Sequence, residues 1–98
     1  MLSSYNVKER KLTLTMDPKD YKAFKEGRTS FEVYLPWAER WKSRFVYHRE
    51  EAMNTTVVVK AKDEEPLEFG VCFITWRLVP INKYERAGRH IVLMLRKI

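Results

Sequence analysis

A chain of 98 residues has room for one hydrophobic core and not for two, and its 45% hydrophobic content excludes a disordered polymer. The 19 Lys and Arg against 13 Asp and Glu leave a net charge of +6, the footprint that a phosphate-bearing partner requires. One cysteine excludes an intramolecular disulfide, and no stretch reaches the ~18–20 consecutive apolar residues of a membrane span.

The opening MLSSYNVKERKL lacks the apolar core of a signal peptide. Arg10 to Met16 then alternates Leu12, Leu14 and Met16 against Thr13 and Thr15, the period-2 pattern of a half-buried strand. Asp17 as N-cap, Pro18 at the first helical position, Asp20 in the first turn and Gly27 just past the end delimit a short helix. Its buried side carries Tyr21 and Phe24. A second strand over 28–36 puts Phe31, Val33 and Leu35 on one face, and Pro36 closes it. Trp37, Trp41 and Phe45 recur at i, i+4 and i+8, which predicts a helix over 37 to about 44 and leaves 45–52 undecided between helix and strand.

Asn54 to Lys62 predicts a third strand, Asp63 to Pro66 a turn, and Leu67 to Val79 the longest apolar strand. With Phe69, Val71 and Phe73 on one side and Cys72, Ile74, Trp76 and Leu78 on the other, this strand is expected at the centre of the sheet, with Gly70 a candidate bulge. Cys72, inside that run, is expected to be a buried, inert thiol. A loop over 80–89 leads to a last strand over 90–98. The chain reads as one α+β domain over 1–98, a small strongly curved sheet or open β-barrel of about five strands with two helices. Phe69, Val71, Phe73, Ile74, Val92 and Leu93 are its expected core.

The stretch LTLTMDPKDYKAFKEGRTSFEVYL resembles the opening of ASCH domains of the PUA-like superfamily, where strand and helix lead through G-[KR]-K-T-x-E-x-R into a small barrel. Gly27, Arg28, Ser30 and Glu32 match that pattern in kind, and HIVLMLRKI is similar to the closing strand. Thr29 stands at the family's lysine position and Tyr34 at its arginine position, so the charged pair of the ligand cleft is missing. The resemblance implies Arg28 and Glu32 as polar cleft residues. Family members hydrolyse modified nucleosides, cut RNA, or are thought to bind RNA or modified bases. An enzymatic activity for this chain rests wholly on that resemblance.

The residues themselves point elsewhere. Arg40, Lys42, Arg44 and Arg49, interleaved with Trp41, Phe45, Tyr47 and His48, form the mix of cations and flat rings with which proteins neutralise phosphates and stack on bases. Trp37, Trp41 and Phe45 equally fit the core side of an amphipathic helix. His48 and His90 have no second ligand at metal-binding spacing, and no nucleophile elbow or Gly-rich phosphate loop is present, so neither cofactor nor metal nor catalytic set is predicted. Arg77 either snorkels at a strand end or points into a cleft.

Two functions fit. One is a nucleic-acid-binding module, for RNA or single strands in preference to duplex, using Arg28, Arg40, Trp41, Lys42, Arg44, Tyr47 and Arg49. The other is a virus-encoded or regulatory protein whose Trp, Tyr and Arg form a hot spot on a host protein. A lone cysteine and the lack of a signal peptide make the cytoplasm the expected location.

Overall fold

The computed structural model describes residues 2–27, 31–36, 44–45, 47–80 and 87–98, with the backbone alone at 36, 78–80 and 87–89. Among these residues the elements are β1 (Leu2–Asn6), β2 (Lys11–Thr15), α1 (Pro18–Lys25), β3 (Glu32–Pro36), α2 (Arg49–Met53), β4 (Thr56–Lys60), β5 (Leu67–Pro80) and β6 (Ala87–Lys97). The six strands form one strongly curved, open sheet in the order β1-β2-β4-β5-β6-β3.

Alternation sets the inner face. Leu12 and Leu14 of β2 lie opposite Val57 and Val59 of the parallel β4, and all four are fully buried. Antiparallel pairing carries the same layer through Phe69 of β5 and on to Leu93 and Ile91 of β6, opposite Val33 and Leu35 of β3. α1 covers this layer. Its ends follow the signals in the sequence: the Asp17 carboxylate accepts from the Asp20 N–H at 2.8 Å, and Gly27 takes φ +75°, a left-handed conformation that costs glycine nothing. Tyr21 donates its hydroxyl proton to the Glu65 carbonyl at 2.6 Å, tying the helix to the β4–β5 turn. Phe24 meets Phe31 and Phe69 edge-on, with centroids 5.4 and 5.1 Å away.

The structure adds one strand to the expected sheet and corrects three expectations. The sheet has a sixth strand, β1, which the sequence hid because its serines face a partly exposed sheet edge and only Tyr5 packs on the core. β5 does occupy the interior of the sheet, but its irregularity falls between Val71 and Phe73 and not at Gly70. One inserted residue reverses the alternation beyond it, so Ile74 joins Phe69 and Val71 in the core while Phe73, expected there, is 45% exposed. Cys72, on the face opposite Val71, is exposed where it was expected to be buried, its thiol directed to the Met94 carbonyl at 3.2 Å. Gly70 serves a different purpose: a Cβ there would come within 2.9 Å of the Arg96 side chain, which crosses the strand at that point. The remaining core expectations, Phe69, Val71, Ile74, Val92, Leu93, Tyr21 and Phe24, are all buried.

Candidate functional site

The segment left undecided in the sequence is helical where it is described, except at His48, which stands as the N-cap of α2. Arg44, Phe45 and Tyr47 have helical backbone, the His48 N–H reaches the Arg44 carbonyl at 2.8 Å, and α2 follows at Arg49. Good helix formers in REEAM outweigh the β-branched and aromatic character of the residues just before. Side chains close the far end: Asn54 Nδ2 and Thr55 Oγ1 donate to the Glu50 and Glu51 carbonyls, each at 2.8 Å. Phe45 is fully buried and meets Tyr5 edge-on at 5.0 Å, which settles the core role of that position in the stripe. Ala52 is buried beside it in the same core.

The opposite side of this segment is open. Arg44, Tyr47 and Arg49 line one shallow cavity of about 570 Å3, together with His48, Glu50, Glu51 and Asn54. Arg10, from the turn between β1 and β2, closes its remaining side. Tyr47 presents 78% of its surface to solvent. Arg49 places its guanidinium carbon 5.9 Å from the centre of the exposed Phe73 ring, at the outer limit of a cation–π contact. Arg44 is paired with Glu51, one side chain on the other's helical face seven residues on. The hydrogen bond to that carboxylate, then its charge, raises the Arg44 pKa further above its ordinary value, so its charge is fixed at every working pH. The cavity thus holds three arginines against two glutamates, with one of the three already engaged.

Arg28, Arg40, Trp41 and Lys42, together with Trp37, lie outside the described residues. Of the seven residues predicted for this surface, the structure brings Arg44, Tyr47 and Arg49 together. Arg10 is the residue that sequence reading missed. Nothing in its neighbourhood marked it; it reaches the cavity because the turn folds with Arg10 at φ +50° and its carbonyl accepting from Thr56 N–H at 2.9 Å.

Glu32, the other cleft residue implied by the family resemblance, is half-buried on β3 and accepts from the Tyr34 hydroxyl at 2.9 Å. That bond raises the Tyr34 pKa, and the Arg77 guanidinium opposes it. Arg77 itself is exposed, next to Tyr34. Glu32 and Tyr34 line a separate small cavity of about 190 Å3 against α1, away from the arginines around Tyr47.

No protein-family model, no curated protein and no solved structure matches this chain. Among the described residues no three His, Cys, Asp or Glu side chains form a cluster able to hold a metal ion, and no helix is long and apolar enough to cross a membrane.

Proposed function

We propose that this protein is a small nucleic-acid-binding module that takes single-stranded nucleic acid, RNA in particular, on the surface around Tyr47. The observation that carries this reading is a tyrosine ring 78% exposed in an open cavity lined by Arg10, Arg44 and Arg49. An exposed ring is a stacking platform worth roughly 1–3 kcal/mol per base, and the arginines supply phosphate contacts and guanidinium planes. The Arg44 side chain is 49% exposed although its partner Glu51 is only 13% exposed, so an incoming phosphate can reach the Arg44 guanidinium from the solvent side. The net charge of +6 steers a polyanion to the molecule. The resemblance to ASCH domains points the same way, since members of that family are thought to bind RNA. An exposed Cys72 thiol suits a reducing compartment such as the cytoplasm.

The reading is tested by anisotropy of labelled single-stranded oligonucleotides of several sequences, with the parent and with Arg49→Glu. The variant is expected to bind every sequence more weakly by a similar factor, because phosphate contacts carry no sequence information. Equal affinity of parent and variant would contradict it. Absence of binding at micromolar protein and low salt would transfer the same surface to a host protein partner, for which exposed Tyr and Arg are suited hot-spot residues.

A further inference from the structure

We infer that the binding surface continues from Tyr47 across the turn between β1 and β2, so that one single strand occupies two adjoining cavities; this rests on the nucleic-acid reading above. The turn is built to project charge. Asn6 Oδ1 accepts from the Glu9 N–H at 3.1 Å, the Arg10 N–H reaches the Val7 carbonyl at 3.4 Å, and the Thr56 N–H clamps the Arg10 carbonyl to the start of β4. Between these anchors Lys8, Arg10 and Lys11 bring three cations against one acid, Glu9.

Neighbouring residues of this turn face two cavities. Arg10 lines the one beside Tyr47, while Lys8, Glu9 and Lys11 line a second of about 620 Å3 against β1. The turn is therefore a shared wall, and a chain of phosphates leaving Tyr47 past Arg10 meets Lys8 and Lys11 next. The described residues lining the second cavity offer two sizeable apolar side chains, Val7, which is 46% exposed, and Tyr5, whose half-buried ring is already packed edge-on against Phe45. A protein hot spot is built on larger buried anchors, whereas a polyanion needs what this turn supplies.

The test compares oligonucleotides of about 4 and about 12 nucleotides, a span covering common single-strand site sizes, on the intact chain. Lys8→Gln with Lys11→Gln is expected to bind the short oligonucleotide as the parent does. It should bind the long one at least about fivefold more weakly, with a salt slope smaller by about one unit. Lys60→Gln with Lys62→Gln is the control for net charge, since Lys60 pairs with Thr15 at the end of β2 and β4 remote from Lys11 and Thr56. It should change neither affinity. Both double variants lie at exposed or half-exposed positions, and unchanged thermal midpoints verify their folding. If the parent and Lys8/Lys11 variant bind the long oligonucleotide equally, or the control loses as much, the extended track is wrong while the Tyr47 site stands. A parent that binds neither length overturns both.

Discussion

Two groups of aromatic rings divide the molecule. Phe24, Phe31 and Phe69 meet one another at centroid distances of 5.1 to 5.4 Å under α1, where burial and edge-to-face contact hold the helix on the sheet. Tyr47 and Phe73 stand 78% and 45% exposed near guanidinium groups, at the end of the molecule where α2 packs on β5. Phe24 and Tyr47, one from each group, both lie among charged residues in the sequence, Lys22, Lys25 and Glu26 around the first and Arg44 and Arg49 around the second. What separates them is whether each ring lies on the core side or the solvent side of its own element, so the second group is exposed and the first is not.

Substitution of matched phenylalanines gives the largest effect that can break this contrast. Phe69→Ala should lose about 3–5 kcal/mol of stability, because a ring enclosed by two others leaves a cavity. Phe73→Ala should lose less than about 1 kcal/mol. Chemical denaturation of both variants measures the difference, and comparable losses would place Phe73 in the core after all.

The Phe73 pair also shows how far the sequence could be read. Period-2 runs in β2, β4 and β6, and the capping residues of α1, were legible because each rests on local chemistry: alternation against one core, or a side chain bonding its own backbone. The irregularity between Val71 and Phe73 has no such local mark. It is fixed by pairing with β6, more than twenty residues away, and it reverses the alternation at Phe73 and Ile74. Phe73 was misjudged for that reason, and Cys72 because the outer face of β5 at that position is exposed. The site divides similarly: Arg44, Tyr47 and Arg49 were readable as neighbours on one segment, but Arg10 arrives by a turn conformation that only the folded β1–β2 and β4 contacts specify. β1 was missed because an edge strand with serines needs no strong alternation. The parallel pairing of β2 with β4 likewise depends on a long crossover that no local motif announces.

Tyr47→Ala sharpens the functional half of the contrast. Affinity for single strands should fall by about 1–3 kcal/mol with the salt slope unchanged, since the ring stacks and carries no charge. Stability should move by no more than about 0.5 kcal/mol, as befits an exposed side chain. A variant that unfolds but binds normally when folded would assign Tyr47 to the core group instead.

Arg10→Gly separates backbone from charge at one position. Its φ of +50° lies in the left-handed region that disfavours ordinary side chains, so glycine should raise stability by between zero and about 1 kcal/mol, net of its own entropic cost. Binding should weaken at the same time. A gain in stability with full affinity retained would remove Arg10 from the site.

The smallest expected effect belongs to Tyr5, the ring that joins Phe45 to the core. Burial lifts its phenol above the ordinary 10.0, partly offset by the nearby Thr55 hydroxyl. The folded state then holds the proton more tightly than the unfolded chain, so this contribution is complete below about pH 10 and is lost as pH rises through the folded value. Tyr5→Phe should flatten the fall in stability above pH 10. An unchanged alkaline profile would show that the phenol is no more buried than in the unfolded chain.

The salt dependence of single-strand binding by the unmodified protein tests the proposed surface most directly. With Arg10, Arg44 and Arg49 meeting the phosphates of an oligonucleotide of about 4 nucleotides, a plot of log affinity against log salt should be linear with a slope of about −2, from about 0.7 per phosphate on single strands. The expected result is micromolar binding at low salt that weakens along that line. Binding that ignores salt, or none at all, would contradict a phosphate-meeting surface around Tyr47.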